Sequence, residues 1–274
     1  MIDVPFERPA SFGTRAALTE AEFAKLAAAI QQQTAADLIG TPGVGEEAVG
    51  SPRLWLEHGQ PSRQASLIVD PPDGRLPPMT EDGARRAKAW PSGNPAEGFA
   101  SAASFNVYDR CITRGVLGST FPNLYGSGIQ ILQAPGLVVI RYEMIHESRI
   151  IPLNDRPHLS QAIRSYMGDA HGRWDGHTLV VETTNFNGRT GSYARNGNGN
   201  PTSEALTLVE RFTRRGADTL DYEVTVNDPL TWTRPWTVAF PLQRDPNYVL
   251  YEYACHEGNY ALENMLRASR AAEQ

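Results

Sequence analysis

A mainly β protein, an antiparallel meander closing into a lipocalin-like barrel or a strongly curved sheet, is the fold class the chain predicts. Three observations carry it. Short runs of alternating apolar and polar residues recur from about residue 105 onward. Tight-turn signals separate several of them: Pro135-Gly136, Asp175-Gly176 and Gly216-Ala217. Few helical patterns intervene, so neighbouring runs pair as consecutive strands.

The first part of the chain reads differently. Residues 18–38 predict a helix, with Thr19 as N-cap and Glu22 three residues on completing a capping box. Residues 40–64 are rich in Gly, Pro and Ser and read as irregular; the glycines of "GTPGVGEEAVG" lack the Gly-Lys-Ser/Thr ending of a phosphate cradle. Residues 65–80 offer a short strand, the turn Pro71-Pro72-Asp73-Gly74 and an extended exit, before a second helix starts at Thr80. Too few periodic apolar residues occur here for a separate core. Residues 1–104 therefore read as a wrapping arm, 105–258 as the β-barrel and 259–274 as a C-terminal helix, all within one domain.

Eight strand patterns follow. "GIQILQA" and "GLVVIRYEMIH" flank Pro135-Gly136, and "GRW" and "HTLVVETTNF" flank Asp175-Gly176. "EALTLVERFTRR" and "DTLDYEVTVND" alternate around Gly216-Ala217, and "WTVAFPLQR" and "YVLYEYAC" close the set. "NGNGNPTS" (196–203) reads as a connecting loop or lid.

Composition limits the function. The 274 residues are 41% hydrophobic and 20% charged, an ordinary balance for a globular domain. A net charge of −6 argues against a nucleic-acid partner. The longest apolar runs fall far short of the roughly 20 residues of a membrane helix. The N-terminus shows no basic start followed by an apolar stretch, so the chain reads as cytoplasmic, or as periplasmic or secreted with a leader removed. Cys111 and Cys255 lack metal-knuckle spacing and are either one bridge or two thiols, according to compartment. A homodimer through a sheet edge or the arm is compatible with the pattern.

Strand alternation sorts the polar residues. Tyr142 and His146 share one face of 139–146, and Glu143 lies on the other. In "YEYACHEGNY", Tyr253, Cys255 and Glu257 face one way and His256 the other, so Cys255, His256 and Glu257 form no local triad. No His pair at i, i+2 or i, i+4 gives a compact zinc motif, although His146, His158 and His256 with Glu143 or Asp155 offer convergent ligands. His171 and His177, flanking the Asp-Gly turn, read as surface residues. Asp155 beside His158 suits a general base. Trp232 and Trp236 around Arg234 suggest an aromatic wall for an anionic group, or an Arg stacked between rings at a strand entry.

The segments "RQASLIVDPPDGRLPP", "YDRCITRG", "YEMIHESRIIPLNDRPH", "MGDAHGRWDGHTLVVETTNF", "DTLDYEVTVNDPLTWTRPWT" and "YEYACHEGNY" together resemble a large family of bacterial proteins. Many of its members carry export signals. The likeness runs from about residue 60 to 262 and implies a β-rich, often exported domain, without an activity. By position, the family motifs include Cys111, Cys255, Glu143, His146, Arg156, His158, His256 and Glu257, and the resemblance implies a Cys111–Cys255 bridge.

Three functional readings result. The first is a cofactor-independent enzyme doing acid–base chemistry of lyase or isomerase type on a hydrophobic small molecule in the barrel. It uses His146 or His158 as base, Glu143 or Glu257 as partner, His256 as a further catalytic candidate and Tyr142 or Tyr253 as donor. Arg149 or Arg234 holds an acidic group. The second is a lipocalin-like binding protein without catalysis. A third, a metal-dependent hydrolase, requires the histidines to meet. Ionisable residues on the strands "VIRYEMIH" and "LYEYACHE" favour the enzyme.

Overall fold

The structure, a computed structural model, describes residues 2–39, 57, 59–90, 99–105, 107–123, 125–191 and 199–272. The Gly-rich stretch at 40–50 and residues 196–198 of the 196–203 loop lie outside the described residues. The elements in order are β1 (Ile2–Asp3), α1 (Glu20–Ile39), β2 (Gln60–Pro61), β3 (Ile68–Asp70), α2 (Glu81–Ala89), α3 (Gly115–Thr120), β4 (Ile129–Ala134), β5 (Leu137–Tyr142), β6 (Ser148–Pro152), β7 (Asp169–Asp175), β8 (Thr178–Thr184), β9 (Thr207–Arg214), β10 (Thr219–Asn227), β11 (Trp236–Gln243) and α4 (Ala261–Ala272).

Local chemistry sets several boundaries. Glu22 N–H donates to Thr19 Oγ1 at 3.3 Å while Thr19 N–H donates to Glu22 Oε2 at 2.8 Å, the expected capping box of α1. Thr80 caps α2 through Gly83 N–H at 3.0 Å. Gly176, at φ +59°, makes the two-residue turn in which Asp175 pairs with Thr178.

The strands form two antiparallel sheets, β3-β11-β10-β9-β8-β7 and β4-β5-β6, and β1 pairs with β2 in parallel. The mainly β character, the antiparallel pairing and the C-terminal helix hold, but the barrel does not close. The meander breaks between β6 and β7. Two-residue turns such as Pro135-Gly136 hold β4 to β5 and β7 to β8, and 16 residues containing Pro157 separate β6 from β7; length alone does not break a ladder, since β8 and β9 pair across a longer connection. Strands β6 and β7 still lie side by side without a ladder. A Cβ on Gly172 of β7 would sit 2.9 Å from Ile151 Cγ2 of β6, so glycine is what permits that approach.

The predicted last strand, "YVLYEYAC", is also absent: residues 244–260 form turns and irregular backbone. Both sides of β11 are occupied, by β10 and by β3, leaving no ladder for another strand. This strap is instead tied down by the Cys111–Cys255 disulfide, with Cα atoms 5.8 Å apart. Helix α4 has no fully buried residue; Leu262, Met265, Leu266 and Ser269 are half-buried, and Ser269 Oγ accepts the Phe99 N–H at 2.9 Å.

The core lies between the sheets. Val138, Ile140 and Tyr142 of β5 meet Leu179 and Val181, Leu208 and Phe212, Tyr222 and Val224, and Trp236, Val238 and Phe240. Ile2, Val4, Val116, Leu117 and Phe121 join the same cluster. The N-terminal segment and α3 thus complete the core of the unclosed sheets.

Candidate functional site

Among the described residues, three places bear most on function. The first is sealed. Arg149 of β6 crosses from the small sheet to Glu210 of β9 in the large one, with side chains 2% and 0% exposed. Arg149 Nη1 donates to Glu210 Oε1 at 3.0 Å and to the Tyr142 hydroxyl at 3.2 Å, and Nη2 donates to Glu210 Oε2 and, at 3.1 Å, to Thr183 Oγ1. The Tyr222 hydroxyl donates to Glu210 Oε1 at 3.0 Å, and Tyr142 shares a 3.1 Å bond with Thr120. Burial opposes the Arg149 charge, but Glu210 and Tyr142 outweigh it and hold the guanidinium above its ordinary pKa. Burial likewise raises Tyr142 and Tyr222. Arg149 and Tyr142 were expected to meet substrate. Strand alternation points both between the sheets, where they bond each other, Glu210, Thr120 and Thr183, while Arg149 Nε is buried with no partner among the described residues.

The second place is the open end between the two sheets. A cavity of about 550 Å³ lies there, within the usual ligand range. Buried Val138, Ile140, Leu179 and Phe212 line it, with Ile131, Leu220 and the half-exposed Trp174. Arg214 and Arg215 also line it, bringing positive charge to its edge, with His177 beside them. Arg215 is engaged by Asp221. Arg214 donates its Nε to Gly216 O at 2.9 Å, and among the described residues no carboxylate pairs with it.

The third place is the seam between β6 and β7. Asp169 and His171, two apart on β7, share a face. His158, on the connection that replaces a tight turn, reaches them with Nδ1 2.8 Å from Asp169 Oδ2. His171 Nε2 lies 3.6 Å from the same oxygen, which also accepts the Leu159 N–H at 2.9 Å. Burial pushes the Asp169 carboxyl up, but the Leu159 N–H and both imidazoles outweigh it and lower its pKa. A cavity of about 350 Å³ adjoins, lined by Glu147, Ser148, Tyr166 and Asp169 among others. Glu147 Oε2 is buried with no partner among the described residues, and burial raises this carboxyl against Thr113 and His146.

No family model, curated protein or solved structure matches the chain.

The other expected residues disperse. His146 does not continue the β5 face: the chain turns into a 3-10 segment with Ile145 and His146 at positive φ, and exposed His146 meets Tyr253 O through Nδ1 at 3.1 Å. Glu143 accepts from Tyr248 on the strap. His256 and Glu257 are exposed on a turn of the strap, not on a strand. Tyr253 packs with Tyr108, whose hydroxyl takes a 3.0 Å bond from buried Arg114 and shares a 2.5 Å bond with Tyr125. Trp232 and Trp236 are buried against each other, centroids 5.3 Å apart, so they cannot wall Arg234, which is exposed and pairs with Asp70 at 2.8 Å. Arg156 and Asp155 stay exposed, and the carboxylate that meets His158 is that of Asp169 rather than Asp155.

His177 is exposed as expected, but the His171 side chain is only 15% exposed, because strand alternation places it beside Asp169. Glu147, Asp169, His171, Glu210 and Tyr222 were not singled out as site residues. "GDAH" at the start of a strand carried the signal for Asp169 and His171, since alternation puts both on one face. Nothing in the sequence pairs Arg149 with Glu210, 61 residues away.

Proposed function

We propose that the protein binds an amphipathic small molecule, an apolar body with an acidic head, at the open end between its two sheets. The single observation that carries this reading is the roughly 550 Å³ cavity floored by Val138, Ile140, Leu179 and Phe212 and edged by Arg214 and His177. Apolar surface supplies affinity there and one cation supplies orientation. The ionisable residues that favoured an enzyme lie elsewhere: Arg149 and Tyr142 are locked in the core, and Glu143, His146, His256 and Glu257 belong to the strap side of the molecule.

Titrating the protein with decanoate, decanol and decylamine, read by Trp174 fluorescence against a Trp174→Phe control, tests this. Decanoate should saturate and bind tightest. Arg214→Glu should weaken it about tenfold, the worth of one charge-assisted contact. Ile131→Trp, which fills the cavity, should abolish it. Binding that ignores Ile131→Trp, or no saturation by any of the three, contradicts the reading.

Acid–base catalysis of lyase or isomerase type is a second reading, favoured by the 2.8 Å Asp169–His158 contact. It takes His158 as base beside the seam cavity that its orienting partner Asp169 lines, and Glu147, which lines the same cavity, as the acid. Turnover of any substrate found should then vanish in His158→Ala and persist in metal-free buffer.

A further inference from the structure

The three seam residues form a donor set of a recognisable kind: two imidazoles and one carboxylate, all able to approach a common point. One ligand atom from each lies within 4.8 Å of the others. Metal bonds of about 2.0–2.1 Å to N and O at tetrahedral or octahedral angles put neighbouring ligand atoms about 2.9–3.4 Å apart. Here Asp169 Oδ2 lies 2.8 Å from His158 Nδ1 and 3.6 Å from His171 Nε2, on either side of that range. An ion between them needs shifts of a few tenths of an ångström at the two carboxylate–imidazole approaches, and a closing of the two imidazole nitrogens, which lie within 4.8 Å, by side-chain rotation rather than a change of fold. The His158 and His171 rings lie 4.5 Å apart, tilted by 58°, instead of stacking out of reach.

The supports of the three ligands differ in stiffness. Asp169 and His171 sit on a strand paired along its length with β8, and the Leu159 N–H fixes the carboxylate. His158 comes from the connection and is the adjustable ligand. Side-chain exposures of 29%, 17% and 15% for His158, Asp169 and His171 give an ion access and leave room for water at its remaining positions. Asp169 also lines the seam cavity, so such an ion sits at its edge.

We propose that His158, Asp169 and His171 bind one divalent transition-metal ion of the zinc or iron(II) class, with open coordination positions at the β6–β7 seam. Nitrogen with oxygen donors selects such ions over Mg²⁺ and Ca²⁺, which prefer all-oxygen sets. The site is separate from the cavity between the sheets and does not depend on ligand binding there.

The test uses the whole chain, disulfide intact and stripped with chelator. Co²⁺ titration followed by visible absorption and Zn²⁺ titration by calorimetry should each give one saturating equivalent, with Mg²⁺ giving none. Loss of even an outer-shell partner costs metal sites about 10–100-fold, so His158→Ala and His171→Asn should each weaken binding at least tenfold. His256→Ala, on the exposed strap, should change nothing. His171→Asn keeps the test valid if His158→Ala disturbs the fold, because the 3.6 Å His171–Asp169 approach contributes little to folding. No saturable Co²⁺ or Zn²⁺ binding, or binding of wild-type strength in His171→Asn, overturns the proposal.

Discussion

Two charged clusters in this molecule share their ingredients and differ in their use. Arg149, Glu210, Tyr142 and Tyr222 lie deep between the sheets, while His158, Asp169 and His171 lie at the seam where the sheets part. In the first, the carboxylate of Glu210 is matched by a two-pronged guanidinium and a tyrosine hydroxyl, and water is excluded. In the second, a single carboxylate oxygen serves two imidazoles and a backbone N–H, and the side chains remain partly wet. A closed set of partners holds a fold together. An unfinished set is where an ion or a substrate can be added.

The largest expected effect breaks the closed set. Glu210→Ala leaves the Arg149 charge buried and unpaired and should cost about 3–5 kcal/mol in denaturant unfolding. Replacing both partners, Arg149→Met with Glu210→Leu, should recover most of that loss. A cost below about 1 kcal/mol for the single variant would show that the pair does not fasten the sheets.

Opening the Cys111–Cys255 bridge should come next. It closes 144 residues of chain and ties the strap to the loop before α3, so Cys111→Ser with Cys255→Ser should cost about 2–4 kcal/mol. Proteolysis should then cut within 244–260 first. Resistance of that stretch would mean that Tyr248–Glu143 and His146–Tyr253 contacts suffice to hold it.

At the seam, Asp169→Asn should cost about 1 kcal/mol or less, since its bonds are partly solvated. That contrast with Glu210→Ala sharpens the comparison; equal costs would erase it.

The smallest effect is a surface titration. The Arg15 hydrogen bond, reinforced by Thr19, lowers the Glu22 carboxyl from 4.5 to about 2. A depressed carboxylate contributes stability that is present above its unfolded pKa and lost as pH falls through the folded one. The contribution should therefore fade between pH 4.5 and about 2. Glu22→Gln should remove that part of the acid limb, which a pair of acid-unfolding curves would reveal by differing only there.

Much of the fold was readable because it rests on local rules. Alternation, Gly176 and Gly136 at tight turns and the Thr19–Glu22 cap each act within a few residues. Closure was misread because it depends on which edges remain free. With β3 taking the outer side of β11, "YVLYEYAC" could not extend the meander beside the strand before it, however well it alternated. The site suffered from the same limit. Alternation correctly denied a Cys255-His256-Glu257 triad, but it could not tell that Trp232 and Trp236 meet each other rather than Arg234, or that His158 finds Asp169. The useful local clue was Asp169-Ala170-His171, two ionisable groups on one strand face.

The space between the sheets is tested most directly by a crystal structure grown with decanoate. An elongated ligand should lie between Ile131, Leu179 and Phe212 with its carboxylate at Arg214. An empty cavity with the ligand elsewhere, or a carboxylate turned away from Arg214, would contradict the proposed binding.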